Sequence, residues 1–99
     1  MAFIQIIEVT TTRPEEIQEL AEEWSARTEG RRTAYRSTLT ADRDRPNTYI
    51  QIVEFPSYQH AITNSGLPET GEFADKLARL CDGPPVFRNL DVQRVDKFS

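Results

Sequence analysis

Three polar side chains in the sequence have the types that acid–base or oxyanion chemistry uses: His60, Asn64 and Arg36. His60 is the only histidine, and imidazole is the side chain whose unperturbed pKa lies closest to neutrality. Asn64 lies about one helical turn further along, so its amide could donate a hydrogen bond to a developing oxyanion. Arg36 could add a cation. Together, these groups could deprotonate an acidic phenol and stabilise the resulting anion.

Each of the three residues also has a plainer role that fits the same pattern. His60 falls outside the apolar stripe of its short helix, so it could simply be exposed to solvent. Asn64 could help to end that helix. Arg36 could be a surface charge or lie at the rim of a dimer interface. The residue types therefore suggest a chemistry without requiring it.

Composition and charge narrow the classes of function. The chain has 99 residues, a formal net charge of −4 and a pI of about 5.0. Because duplex-binding proteins more often carry a basic face, we expect no nucleic acid partner. The single cysteine excludes an intramolecular disulfide and is typical of a reducing compartment. No apolar run approaches the ~20 residues of a membrane span, and no signal-peptide pattern occurs, so we expect a cytoplasmic protein without membrane contact.

No metal or cofactor site is expected from the motifs. The one histidine, one cysteine and scattered carboxylates lack the spacing of zinc or non-haem iron ligands. No glycine-rich phosphate loop and no nucleophile-elbow motif occurs. Any catalysis would therefore use side chains alone.

Hydrophobic spacing predicts the order β-α-β-β-α-β in a single domain over residues 1–99. The turn cluster "DRDRPN" joins the second and third strands as a hairpin. The predicted strands cover residues 3–9, 33–41, 48–55 and 86–95.

The predicted helices are bounded by capping residues at their starts and by helix-breaking residues at their ends. Thr12 and Glu15 form the pattern of a capping box before the first helix, which Gly30 ends. The second helical segment is broken in two by "SGLP". Its first part is predicted from the Ser57 cap to about residue 65 and its second part from about 69 to 81.

Two predicted strands are near copies of each other: "FIQIIEV" (3–9) and "YIQIVEF" (49–55). In a ferredoxin-like βαββαβ fold, the first and third strands pair at the centre of a four-stranded antiparallel sheet. The predicted class is therefore α+β, with the helices on one face of the sheet. Both faces of the central strands are apolar, whereas the helices can cover only one of them.

The helix-free face is predicted to be a dimer interface. Soluble monomers rarely expose a contiguous apolar patch of this kind. We therefore expect a homodimer in which two sheets pack face to face to form a dimeric α+β barrel. The alternative is a monomer whose own tail covers the patch. The expected interface residues are Ile4, Ile6, Ile50 and Ile52.

The opposite face is predicted to hold a ligand pocket. It places Gln5 and Gln51 beneath the helices, and buried amides need hydrogen-bond partners. The two amides could bond to each other, or they could hold a ligand or water. Trp24, Tyr49 and Phe73 could wall the pocket, although each could equally pack in the core. The expected ligand-binding set is Gln5, Trp24, Tyr49, Gln51 and Phe73.

The sequence resembles the dimeric α+β barrel superfamily and, within it, the antibiotic-biosynthesis monooxygenase-like domains. The resemblance covers nearly the whole chain and rests on "TTTRPEEIQELAEEW", "FPSYQHAITNS" and "ETGEFADKLARL". Members typically have an aromatic strand end, a Ser-x-x-x-Ala short helix with His or Asn near its end, and then a Phe-bearing helix. The matching positions here are Phe55, Ser57, Ala61, Asn64 and Phe73.

The resemblance implies a dimer with a pocket in each protomer, between the helices and the sheet. Enzymes of the family oxidise polycyclic phenols or quinols with O2 and no cofactor, and relatives degrade haem, isomerise lactones or have no known activity. The haem-degrading branch needs Asn, Trp and His at positions where this chain has Ile7, Asn64 and Asp75, which argues against haem. We therefore expect a protein that binds an aromatic or apolar small molecule, with cofactor-free monooxygenation as one hypothesis. The alternative is a non-catalytic binding or interaction domain.

Overall fold

The computed structural model describes residues 2–99 as one antiparallel sheet with three helices. The strand order in the sheet is β2-β3-β1-β4. This arrangement confirms the α+β, ferredoxin-like βαββαβ fold, including the second helix broken in two. Within residues 2–99, none of the helices is both long enough and apolar enough to cross a membrane. The elements are β1 (Phe3–Thr10), α1 (Pro14–Arg27), β2 (Arg36–Ala41), β3 (Thr48–Phe55), α2 (Tyr58–Ser65), α3 (Pro68–Leu80) and β4 (Val86–Asp91).

The near-identical strands β1 and β3 are neighbours at the centre of the sheet, as predicted. They run antiparallel, with Ile6 opposite Ile52 and Ile7 opposite Gln51. Because side chains alternate across a strand, Gln5 and Gln51 point to the same face as Phe3 and Ile7. This face carries the aromatic side chains of the two central strands.

The core lies between this face and the helices. Phe3, Val53 and Phe55 are buried together with Ile17 of α1 and Leu77 of α3. The rings of Phe3 and Phe55 lie 6.2 Å apart at a tilt of 49°. Burial of these apolar side chains is the main stabilising contribution and fixes the helices over β1 and β3.

The predicted capping box at Thr12 is wrong. The residue before α1 is Arg13, which provides no side-chain cap. Instead, the buried Thr11 accepts a hydrogen bond from the Arg13 N–H at 3.0 Å and donates to the Leu80 carbonyl at 2.7 Å. Thr11 therefore ties the start of α1 to the end of α3. By contrast, the predicted Ser57 cap is confirmed, because its side chain accepts from the His60 N–H.

Two strands are shorter than their hydrophobic patterns predicted. β2 begins at Arg36 rather than at residue 33, because Thr33 hydrogen-bonds to α2 through the Asn64 side chain and the His60 carbonyl. β4 ends at Asp91 rather than at residue 95, after which a single backbone bond joins the Val92 N–H to the Ala2 carbonyl at 3.0 Å.

The helix-free face of the sheet is apolar at its centre and charged at two places. Its four isoleucines are half-buried, and Val86 and Leu90 of β4 extend the apolar surface with 46% and 42% of their area exposed. Glu8 pairs with Arg45 and Arg88, each at 3.1 Å. Arg36 pairs with Glu54 at 2.7 Å. The isoleucines are Ile4, Ile6, Ile50 and Ile52.

Candidate functional site

A cavity of about 430 Å³ lies between helices α1 and α3 and the sheet. Its volume falls in the range of about 300–1,000 Å³ that is typical of small-molecule sites. Strands β1 and β3 supply the floor, and Asn64 of α2 closes one side. The floor residues are Gln5, Ile7, Gln51, Val53 and Phe55, and the helical wall includes Ala21, Trp24, Thr70 and Phe73.

The indole ring of Trp24 is held in place at the cavity wall. Its Nε1–H donates to the Thr70 hydroxyl at 3.0 Å. Phe73 lies beside it, with the ring centroids 6.5 Å apart and the planes tilted by 57°. A bonded, half-buried indole loses little further freedom when a ligand packs against it, which favours binding.

The two floor glutamines do not hydrogen-bond to each other, which was one of the two arrangements that the sequence suggested. Gln5 Nε2 donates to Asn89 Oδ1 at 3.3 Å, and Gln51 Nε2 donates to Ser37 Oγ at 2.9 Å. Each amide is therefore held by the outer strand beside it, because the register sets Gln5 and Gln51 diagonally rather than opposite. In the part of the chain that is described, neither Oε1 atom has a hydrogen-bond partner.

Asn64 is the most buried polar residue at the cavity, with 6% of its surface exposed. Its Oδ1 accepts from the Thr33 N–H at 3.2 Å, and its Nδ2 has no partner among residues 2–99. Every fully buried side-chain nitrogen or oxygen of those residues is hydrogen-bonded. The free Nδ2 therefore keeps some accessible surface, and Asn64 is one of the residues that line the cavity.

His60 does not lie at the cavity. Its side chain is exposed, and its Nδ1 lies 2.6 Å from Ser57 Oγ. The ring turns back to the helix N-terminus that Ser57 caps, whereas Asn64, one turn later, turns inward. The structure therefore separates the two residues that their spacing placed together.

The positions of Arg36 and Tyr49 also differ from those expected from the sequence, which assigned both residues to the pocket. Arg36 borders the cavity, but it lies opposite Glu54 in the sheet, so its side chain is on the helix-free face, where it is 70% exposed and its Nε pairs with Glu54. Tyr49 is half-buried and packs against the core, away from the cavity lining. Trp24, Phe73, Gln5 and Gln51 do line the cavity.

The cavity mouth brings together residues that the sequence did not single out. Arg32 comes from the loop between α1 and β2, and Glu22 and Ser25 come from the exposed side of α1. Loop residues follow no hydrophobic period. The only sequence feature that could have marked Arg32 as a site residue was therefore its position shortly after Gly30. Gly30 has φ +80°, a conformation that glycine adopts without strain.

The polar residues that the central strands and α2 contribute to the cavity are amides rather than acids or bases. The titratable residues of the cavity lining are Glu22, Arg32, Tyr35 and Arg36, and all four are at least partly exposed. Between residues 2 and 99, no three His, Cys, Asp or Glu side chains come together as metal ligands. The lining can thus pack against an apolar ligand, with the Asn64 amide as a hydrogen-bond donor and the glutamine oxygens as acceptors.

Solved structures share this fold over nearly the whole chain. SnoaB, a cofactor-independent oxygenase from Streptomyces nogalater solved as an Asn-to-Ala variant, superimposes with a TM-score of 0.80 at 17% identity, covering 95% of both chains. An antibiotic biosynthesis monooxygenase gives 0.73 at 12% identity, covering 95% of this chain and all of the other. The protein Rv0793 of Mycobacterium tuberculosis gives 0.76 at 13% identity, covering all of both chains. The chain has the antibiotic biosynthesis monooxygenase-like fold.

The resemblance seen in the sequence is therefore confirmed at the level of fold. At identities of 12–17%, an activity does not follow from the likeness. No protein-family model and no curated protein matches the sequence.

Proposed function

We propose that the protein binds a planar, largely apolar small molecule in the cavity between the helices and the sheet. The observation that carries this proposal is a cavity of about 430 Å³ within one protomer that combines an aromatic wall with a mainly apolar floor containing two glutamine amides. Most ligand pockets have this composition, with apolar walls for affinity and a few polar groups for orientation.

The polar groups define what the ligand edge should offer. Asn64 Nδ2 is a donor and would bind a ketone or phenolate oxygen. The free oxygens of Gln5 and Gln51 are acceptors and would bind hydroxyl groups. Trp24 and Phe73 would cover the ring faces. Hydroxylated polycyclic ketones and quinones present this combination on one flat molecule.

Cofactor-free oxygenation of such a ligand is a second candidate, favoured by the Asn64 donor. A hydrogen bond to the phenolate oxygen would stabilise the anion that reacts with O2. The lining offers no base near the floor, so the substrate would need to be acidic enough to lose its proton to solvent or at the mouth. The shared fold with an oxygenase is an analogy that supports this candidate.

Binding is tested with the only tryptophan as the reporter. Trp24 lines the cavity, so a hydroxyanthraquinone or anthrone that enters should quench its fluorescence in a saturable way. Asn64→Ala should weaken binding about tenfold, the loss of one hydrogen bond to an ionised oxygen. His60 lies outside the cavity, so the His60→Ala variant should bind the ligand with the affinity of the wild type. Absence of saturable quenching across the panel would refute the binding site.

Oxygen uptake with the same anthrones separates the two candidates. Turnover by the wild type and by His60→Ala, together with its loss in Asn64→Ala, would support the oxygenase. Tight binding without oxygen uptake would instead favour the non-catalytic binding domain.

We also propose that two protomers pair through their helix-free faces. The four isoleucines and the exposed Val86 and Leu90 support this arrangement, because a second sheet would bury them. The charged pairs at Glu8 and Glu54 lie within the same face and would remain satisfied.

A further inference from the structure

Arg32 is a half-buried cation at the cavity mouth with no carboxylate partner. Its Nη1 donates to the Ser25 carbonyl at 2.7 Å, and no acidic side chain within residues 2–99 lies in ion-pairing distance of it. Two other arginines, Arg43 and Arg79, also lack such a partner, but both are exposed to solvent. The paired arginines are Arg13, Arg27, Arg31, Arg36, Arg45, Arg88 and Arg94.

The backbone around Arg32 is held on both sides. The Arg32 N–H donates to the Thr28 carbonyl at 2.9 Å, and the next N–H, of Thr33, donates to Asn64 Oδ1. Thr28 is fully buried, and its hydroxyl donates to the Trp24 carbonyl at 2.7 Å. The loop therefore connects to two residues that line the cavity, and the guanidinium is anchored by Ser25 beside its mouth. A preorganised cation of this kind binds an anion with little loss of side-chain entropy.

We propose that Arg32 binds a carboxylate of the ligand, so that the ligand is an aromatic acid with its rings in the cavity and its anionic group at the mouth. This inference rests on the proposed binding function. One guanidinium edge is used by Ser25, and the remaining N–H groups can grip a carboxylate, which the planar fork of arginine matches well.

The neighbouring charges place the anion at Arg32 rather than elsewhere on the rim. Arg36 is paired with Glu54 on the helix-free face, and the carboxylate of Glu22, another lining residue, would repel a ligand carboxylate placed beside it. The polar groups that the central strands and α2 contribute are uncharged amides, so they would bind the ring hydroxyl and ketone groups. The cavity lining would thus provide affinity for the flat ring system of the ligand, whereas Arg32 would provide selectivity for its carboxylate.

A pair of ligands that differ only in charge tests the proposal. Anthraquinone-2-carboxylate and its neutral carboxamide would be titrated calorimetrically into the full-length protein at pH 7.5. Wild type should bind the carboxylate about tenfold more tightly, which corresponds to about 1.4 kcal/mol. Arg32→Gln should lose that preference while its affinity for the carboxamide stays unchanged, and Arg32→Lys should keep part of it. Arg43→Gln, an exposed arginine on the 42–47 turn, should bind both ligands like the wild type.

The outcomes distinguish this inference from the binding function on which it rests. Equal affinity of the wild type for both ligands, or an equal loss for both in Arg32→Gln, would overturn the role of Arg32 and leave the cavity as a binding site. Failure of the wild type to bind either ligand would overturn both. Thermal unfolding of each variant checks that a changed affinity does not come from a changed fold.

Discussion

The side-chain Oδ1 of Asn64 accepts a hydrogen bond from the backbone N–H of Thr33, at 3.2 Å and across 31 positions of sequence. This bond joins α2 to the loop between α1 and β2. The same loop carries Arg32, and Asn64 itself lines the cavity. One side chain therefore ties the loop at the mouth to α2, and its Nδ2 donor has no hydrogen-bond partner within residues 2–99.

Replacing Asn64 should cost stability as well as affinity. In Asn64→Ala, the part-buried Thr33 N–H loses its partner, which should lower the free energy of unfolding by about 1–3 kcal/mol. Urea denaturation measures this change. Thr63→Ala, at the adjacent exposed position of α2, is the matched control and should change the free energy by less than about 0.5 kcal/mol. Equal stability of the two variants would show that the Asn64–Thr33 bond contributes nothing.

The helix packing over the sheet predicts a strong contrast between two isoleucines. Ile17 of α1 is 2% exposed, whereas Ile62 of α2 is 50% exposed. Ile17→Ala should lower the free energy of unfolding by about 2–5 kcal/mol, because it removes buried methyl groups and leaves a cavity. Ile62→Ala should stay within about 0.5 kcal/mol of the wild type in the same urea titration. Similar losses in both variants would contradict the assignment of the core.

A charge on the helix-free face should prevent dimer formation. Ile50→Asp would place a carboxylate in the centre of the proposed interface, where its desolvation is unfavourable. Light scattering at micromolar concentration should then give half the mass of the wild type. Ile62→Asp makes the same substitution on an exposed helix and should remain dimeric. A wild-type protein that is already monomeric would refute the dimer.

The free energy of unfolding should fall as the pH is lowered, because Arg45 forms ion pairs with Glu8 and Asp42. Arg45 hydrogen-bonds to Glu8 and holds the pKa of that carboxyl below its ordinary value of 4.5, with Arg88 adding to the effect. Arg45 lowers the pKa of Asp42 in the same way. Because the folded pKa values are depressed, the unfolded chain binds more protons at mildly acidic pH, and this stabilisation is lost as the pH falls through the folded values.

The variant Arg45→Gln tests this linkage. Its melting temperature should lie below that of the wild type at neutral pH, and the gap should close as the pH falls below about 4.5, the ordinary Glu value. Arg43→Gln, on the same turn but without an ion-pair partner, should follow the wild type at every pH. A gap for Arg45→Gln that is independent of pH would mean that the ion pairs do not set the acid sensitivity.

Much of the candidate site could be anticipated from strand periodicity. The near-copies around Gln5 and Gln51 predicted two paired central strands, and alternation placed both amides beneath the helices with Trp24 and Phe73 nearby. The partners of those amides could not be predicted, because they depend on register. Asn89 and Ser37 reach the glutamines only after the outer strands have paired with the central ones.

His60 shows why residue type and spacing can mislead. Four positions separate it from Asn64, and helical geometry brings such positions to similar faces. The local Ser57 cap nevertheless turns the imidazole back to the helix N-terminus, and the tertiary contact with Thr33 turns Asn64 inward. Competition between a local and a long-range hydrogen bond cannot be read from spacing alone.

The sequence by itself determined the order of elements and the pairing of the two central strands, because those features depend on local periods and turn signals. Only the tertiary structure decided the chemistry of the cavity. Arg32, Thr33 and Thr70 lie in a loop or a helix start without distinctive patterns, and they reach the site because α1, α2 and α3 pack over one sheet. Hydrophobic patterning encodes which face is buried, whereas the polar contacts within that burial arise from distances that only folding sets.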